Sequence, residues 1–416
     1  MAEREIKISL LGHKDHGKST LIGRLLYETH SLTEDRVNEA RAMTKSVLGK
    51  DELEYAFLLD SFEEEREGGF TLDTTRAQVH HGGVIYELID VPGHKELVKN
   101  MLTGASLAHA AILIVSAKED ERLKDETKLH LYLASLLGIK NLVVTINKID
   151  TISYNEEIFN SIKEEMTKIL KSFGYEKLSF VPVSARKGDN VMALSEATPW
   201  YKGKTVIEFM EEFSRIDYEK EIEELPARMF VQDIYDMGDE KILVGRLDTG
   251  KLRVGQEVAV EPLGVSTAID EMKIRNDSVK EGRAGQNLGV MLKGDGMADV
   301  KRGNVCMPAD SRAEPVKSIS AKIFCLPGNE IKTGDELTIT CASQEANAKI
   351  SDIAEKMNPI VDSEPKKDVD DIAGWEAAEV KIEFNEPLVF ESFSKLPHTG
   401  RFVLSKGGVV AVGVVI

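Results

Sequence analysis

Between an apolar run, IKISLL at residues 6–11, and a helix-like stretch that begins TLIGRLLYE at Thr20 stands GHKDHGKS, residues 12–19. Two glycines five positions apart, followed at once by Lys18 and Ser19, suit one local geometry. A strand ends, a loop brings bare backbone N–H groups onto an anion, and a helix N-terminus adds the positive end of its dipole. Lys18 is then placed to reach the β- and γ-phosphates of a nucleotide, and the Ser19 hydroxyl to coordinate Mg²⁺. A loop of this kind needs a parallel sheet beneath it, so the feature constrains the first half of the chain to an α/β fold.

The hydrophobic pattern agrees. Apolar runs at 6–11, 84–89, 110–116, 142–146 and 180–183 alternate with helical stretches, the signature of a doubly wound, mostly parallel sheet covered by helices. Ile158, Ile162, Met166, Ile169 and Leu170 recur near helical spacing and predict one apolar stripe packed on that sheet. The charged segment 214–226, SRIDYEKEIEELP, reads as a linker. Beyond it the texture changes to short β-type runs such as MFVQDI, KILVGRL and QEVAVE, then, past PADSRAEP at 308–315, to KSISAKIFCL, DELTITC and AAEVKIEF. Glycine-bearing turns separate them, which predicts two antiparallel β-barrels. The expected domains are 1–218, 219–310 and 311–416, in keeping with a length of 416 residues.

Composition narrows the function. Hydrophobic residues at 42% and charged residues at 30% exclude disordered and fibrous classes. A net charge of −18 argues against a broad grip on nucleic acid through phosphate neutralisation, DNA included, while leaving room for a local basic face that meets RNA. The first residues, MAEREIKISLLGHKD, carry charges where a signal peptide needs apolar ones, and no run approaches a bilayer span, so a cytoplasmic protein with no membrane partner is expected. Cys306, Cys325 and Cys341 lie far apart without metal or redox spacing and read as reduced, buried thiols. The His80-His81 pair reads as surface histidines without a metal role.

Four further motifs follow. Asp90-Val91-Pro92-Gly93-His94 closes the 84–89 run. A carboxylate there can hold a metal-bound water, and the Gly93 N–H can meet a γ-phosphate. His94 alone would more often be structural; beside a γ-phosphate it can position the attacking water. The stretch 63–75, EEEREGGFTLDTT, by itself reads as an acidic solvated loop, yet its position lets Thr71 supply a second Mg²⁺ ligand. Asn147-Lys148-Ile149-Asp150 follows the 142–146 run and Ser184-Ala185-Arg186 the next. Guanine offers N1–H and N2–H₂ side by side, so a fixed Asp150 carboxylate accepting both would select it over adenine. Asn147 would buttress the loop or accept from the base, and the Lys148 stem could stack on the ring.

Taken in order, GHKDHGKST, EREGGFT, DVPGH, NKID and SAR resemble the translational GTPases. VKNMLTGAS, GDNV, PWYKG, VGRLDTG and GRFVL narrow the resemblance to the elongation factor 1-alpha group, most strongly over the nucleotide domain and least over the third. The resemblance implies a P-loop GTPase domain followed by two β-barrels, which bind GTP or GDP with Mg²⁺ and, in the GTP form, close around aminoacyl-tRNA for the ribosome. It implies a monomer, with an exchange factor as a possible further partner. Carried over by residue, it assigns phosphate binding to Asp15, His16, Gly17, Lys18, Ser19 and Thr20. Mg²⁺ falls to Ser19 and Thr71, with Asp90 behind a water, guanine to Asn147, Lys148, Asp150, Ser184 and Ala185, and the water-positioning role to His94.

Departures accompany the likeness. Lys14 and Phe70 stand where the family usually has valine and isoleucine, putting the usual gating of the histidine in doubt. DERLKDETKLH at 120–130 replaces the usual Q-T-R-E-H, and CASQEANAK at 341–349 differs from the third domain's usual segment, pointing to a changed ligand for the cargo half. A second reading is the GTPase subunit of ATP sulfurylase, which shares this plan and to which LLYETHSLTED and YLASLLGIK are also similar. A third is a specialised relative that carries a release or rescue factor or one particular tRNA.

Overall fold

The computed structural model describes residues 4–49, 52–59, 75–90, 108–121, 125–237, 240–293, 299–362 and 364–416. The chain divides into two compact units, Met1–Ile216 and Asp217–Ile416.

The first unit is built on a six-stranded sheet. Its strands are β1 (Arg4–Leu11), β2 (Thr75–His81), β3 (Val84–Asp90), β4 (Ala110–Ser116), β5 (Asn141–Asn147) and β6 (Ser179–Pro182), in the order β2-β3-β1-β4-β5-β6. All pairs are parallel except β2–β3, a hairpin turning on Gly82 and Gly83. Both glycines have positive φ, 60° and 75°, which a two-residue turn between right-twisted strands demands. The hairpin supplies the antiparallel edge of a sheet otherwise parallel, in keeping with the mostly parallel sheet expected. All seven residues of β4 are buried, as a central strand covered on both faces requires. Each buried Ile, Leu or Val there contributes about 1.5–3 kcal/mol relative to exposure.

The helices are α1 (Lys18–Glu28), α2 (Glu34–Leu48), α3 (Asp125–Leu136), α4 (Glu156–Ser172) and α5 (Val206–Arg215). The α4 helix starts at Asn155, whose side chain accepts the Ile158 N–H, and buries Phe159, Ile162, Met166 and Leu170. Phe159 thus takes the place expected of Ile158, and Ile158 and Ile169 flank the stripe half-buried.

The second unit opens with α6 (Tyr218–Glu223), so the segment read as a linker is in part helical. Asp217 caps it, the Gly250 N–H donates to Ile222 O at 2.9 Å, and Glu223 pairs with Lys251 at 2.6 Å. Glu223 finds its cations, Lys251 and Arg283, on the barrel, a partnership that a reading of local polarity misses.

Two closed antiparallel six-stranded barrels follow. The first comprises β7 (Arg228–Met237), β8 (Glu240–Thr249), β9 (Glu257–Glu261), β10 (Val265–Ile274), β11 (Asn287–Leu292) and β12 (Val305–Pro308). Its order is β9-β12-β7-β8-β11-β10, and β10 pairs back to β9. The second comprises β13 (Val316–Cys325), β14 (Glu336–Cys341), β15 (Gln344–Met357), β16 (Ala377–Leu388), β17 (Arg401–Ser405) and β18 (Val409–Val415). It closes as β14-β17-β18-β13-β16-β15 with β15 on β14. Each encloses an aliphatic core, Met229, Leu243, Val258 and Val290 in one and Ile323, Ile339, Ile350 and Leu404 in the other. The segment 341–349 forms the β14–β15 hairpin. There buried Gln344 donates to Val389 O at 2.9 Å and accepts the Val389 N–H at 2.8 Å.

All three cysteines are free and buried, and burial pushes each thiol up to about 12. His80 is exposed, and His81 Nε2 lies 3.1 Å from Glu211 Oε1. Among the described residues no helix is long and apolar enough to cross a membrane.

Candidate nucleotide-binding site

The first glycine-rich motif lies where expected, at the C-terminal end of β1. Strand order reverses around β1, with β3 on one side and β4 on the other, which opens a crevice above the strand ends. Residues Lys14–His16 make a 3₁₀ turn, and Gly17 at φ 90° swings the chain into α1. Gly17 also has Asn147 Nδ2 where a Cβ would stand, so both conformation and space require glycine. The first amides of α1 have no intrahelical acceptor and form the anion-facing end of the loop. Lys18 is buried and donates to Gly12 O at 3.1 Å, with Asp90 Oδ1 at 3.8 Å. Ser19 and Thr20 are half-buried on the first turn of α1.

His16 differs from its neighbours. Its imidazole is fully buried beneath the loop, with Nδ1 2.9 Å from Ile114 O on β4. The His13 N also lies 3.3 Å from this Nδ1, which accepts that N–H when unprotonated and donates to Ile114 O when protonated. The His16 N–H is taken by His13 O at 3.1 Å, so this residue shapes the loop from below.

Asn147 ties the phosphate side to the base side. Its Nδ2 donates to His16 O at 2.8 Å and its Oδ1 accepts the Ala185 N–H at 2.9 Å, all buried. Of the two roles open to it in the sequence, this geometry is that of a buttress. Lys148 follows at φ 62°, and a 3₁₀ turn over Ile149–Ile152 presents Asp150. Among the described residues the Asp150 carboxylate accepts no protein hydrogen bond and stands at the wall of a cavity. That cavity, about 250 Å³, is lined by Gly17, Thr20, Asn147, Lys148, Asp150, Ser184 and Ala185, and by Glu54, Lys118 and Arg186 as well. The structure therefore brings the P-loop, NKID and SAR residues around one space. A larger cavity of about 660 Å³, between α1 and α2, is lined by none of them.

Ser184 is held by a bridge to Asp189 and accepts the Lys187 N–H on its hydroxyl at 3.3 Å. The Ala185 and Arg186 carbonyls both receive the guanidinium of Arg24, Nε to Ala185 O at 3.0 Å. Sequence reasoning passed over Arg24, although a charge among Leu21, Ile22 and Leu25 on a buried helix face is a signal. It also passed over His130, buried on α3, whose Nδ1 receives the Gly12 N–H at 3.4 Å. The histidine of the departing 120–130 stretch thus reaches the phosphate loop. Thr71, Gly93 and His94 lie outside the described residues, as does Phe70.

A strand–loop–helix anion cradle, joined by one asparagine to a base-sized cavity at the strand ends of a doubly wound sheet, defines a P-loop nucleotide-binding protein. Residues 3–211 match the model of the elongation factor Tu GTP binding domain, 241–307 that of elongation factor Tu domain 2, and 318–416 that described as GTP-eEF1A C-terminal domain-like. The chain belongs to the elongation factor Tu and 1-alpha family of translational GTPases. It is 36% identical to elongation factor 1-alpha of Methanothermobacter thermautotrophicus, covering 100% of this chain and 98% of that protein. It is 37% identical to elongation factor 1-alpha of Thermoplasma acidophilum over 99% and 98% of the two chains. A looser likeness, at 22% identity and a TM-score of 0.45, runs to sup35 complexed with GDP, covering 100% and 94%. The relatives' names do not favour the sulfate-activation reading.

Proposed function

We propose that this chain is a translation elongation GTPase of the 1-alpha type that delivers aminoacyl-tRNA to the ribosome in the cytoplasm. Its domains would be 1–218, 219–310 and 311–416. The observation that carries this reading is likeness over the full length to elongation factors 1-alpha, both barrels included.

In this reading the loop from Asp15 to Thr20 holds the phosphates, with His16 shaping it from below, Lys18 shifts from Gly12 O to the β/γ oxygens, and Asp150 accepts the two guanine donors. Asn147 keeps the Ser184 and Ala185 loop level with the phosphate loop. Ser19, on the first turn of α1, and Asp90, at the end of β3, are hard oxygen donors, which suits Mg²⁺, and Thr71 would complete the set. Among the described residues no cluster of His, Cys, Asp or Glu could hold a metal without the nucleotide. When bound, Mg²⁺ would neutralise phosphate charge. His94 would orient a water whose oxygen attacks the γ-phosphorus as the bond to the β–γ bridging oxygen breaks, leaving GDP and phosphate.

The test is binding of the purified protein to mixed aminoacyl-tRNA and to deacylated tRNA, in the GTP-analogue and GDP forms, at one salt concentration. Charged tRNA retained only by the GTP-analogue form is expected. Retention in neither form would move the cargo to a protein of tRNA-like shape, in line with the departures at 120–130 and 341–349.

A further inference from the structure

Arg24 is a buried charge with every guanidinium nitrogen engaged, and it does not itself line the base cavity. Nε donates to Ala185 O at 3.0 Å, Nη2 to Arg186 O, and Nη1 to Glu28 Oε1 at 2.9 Å one turn along α1. Its Cζ stacks over the Tyr55 ring, 4.0 Å from the centroid. The packing leaves no slack. A Cβ on Gly188 would come within 2.9 Å of Glu28 Oε1, and one on Gly23 would run into Tyr55 O. Tyr55 belongs to the segment 52–59, which also supplies Glu54 to the lining of the base cavity and Glu52 to Arg186 at 3.6 Å. The Glu54 N–H is pinned to Thr44 Oγ1 of α2 at 3.1 Å. One side chain therefore joins the helix behind the phosphate loop, the 184–186 loop over the base cavity and a strap across its edge.

We infer that Arg24 and Tyr55 form a latch that holds the 184–186 loop over the base and so sets how long a guanine nucleotide stays bound. The inference rests on the guanine-site reading above. Arg24 acts as a positioning residue. Its planar fork binds two successive carbonyls while its face lies on the tyrosine, a combination the single ammonium of lysine cannot reproduce. Lifting the strap removes the ring from the guanidinium, the two carbonyls lose their fixed donor, and the wall of the base cavity loosens while the phosphate loop keeps its own contacts to β4 and α3.

The experiment is stopped-flow release of fluorescent GDP from the full chain and from Arg24→Lys, Tyr55→Leu and Tyr55→Phe. Arg24→Lys should speed release about tenfold or more, as expected for loss of charge-assisted hydrogen bonds. Tyr55→Leu should speed it several-fold, and Tyr55→Phe, which keeps the ring, should match the wild type. Because the loop lines the base cavity and reaches the phosphate loop only through Asn147, preference for GDP over ADP should fall more than the GTP-to-GDP affinity ratio changes, a pattern that loss of stability alone would not produce. Release within twofold of wild type for both Arg24→Lys and Tyr55→Leu, in a wild-type chain that retains GDP, overturns the latch alone. A wild-type chain that retains no GDP removes the guanine site and the latch with it.

Discussion

Asp150 and Asn147 stand three residues apart and do unlike work. Asn147 spends both ends of its amide inside the protein, whereas Asp150 sits half-buried at the cavity wall with its oxygens turned to no protein donor among the described residues. Exchange of Asp150 for asparagine should therefore leave the fold intact and alter selection. The amide no longer accepts two donors, and preference should move from GTP toward xanthosine triphosphate, since a site built for hydrogen bonds discriminates by as much as about 10⁴-fold. A nucleotide competition assay reads this directly, and unchanged selectivity would remove Asp150 from the base site. At this scale the sequence was most legible where spacing itself carries the chemistry, as in GHKDHGKS and NKID. Arg24 and His130 escaped because each acts through the backbone of a distant segment, a relation that no local spacing encodes.

Among elements, the strands whose runs are wholly apolar were plain, β4 above all. Two were hidden for physical reasons. The β2 strand, TRAQVHH, is a polar edge whose pairing is dictated by the glycine turn after it rather than by its side chains. The β15 strand, QEANAKISDIAEKM, is rich in helix-favouring Ala, Glu and Lys. Only its strict alternation of buried Gln344, Ala346, Ala348 and Ile350 with exposed residues marks it, and tertiary pairing overrides its propensity. The seam between β1 and β4 makes a pH prediction. The His109 Nδ1 accepts the Lys7 N–H at 3.1 Å, which requires an unprotonated nitrogen, and burial together with Lys7 and Arg4 lowers its pKa to about 4. Below pH about 6.5 the unfolded chain binds a proton that the folded chain refuses until about pH 4. Stability of the first unit should fall as pH drops through that window. His109→Gln, whose amide keeps an acceptor, should flatten the loss in thermal melts taken from pH 7 to pH 4.5, and an unchanged slope would exonerate the histidine.

At the scale of the whole molecule, the two barrels of the second unit share an ion pair. Arg228 is 2% exposed and grips Glu391 at both oxygens, Nε to Oε2 at 2.8 Å and Nη2 to Oε1 at 2.9 Å. It also donates to Ala227 O and Ser311 O, and Thr399 Oγ1 donates to Glu391 Oε2 at 3.0 Å. Arg228→Met would strand the carboxylate and should cost about 3–5 kcal/mol in urea unfolding, while the paired change with Glu391→Leu should recover most of it. A double-variant loss equal to the sum of the two single losses would show that the side chains act independently. The closed rings carry one more consequence. The sixth strand in chain order of the second barrel, β18, lies inside the ring between β17 and β13. During vectorial synthesis that ring stands open, with β13 lacking a neighbour, until Val409–Val415 has cleared the ribosome. The first barrel, by contrast, has all its strands by Pro308. The interval between those points is when a nascent chain offers a bare strand edge, and it is there that a chaperone would have work to do.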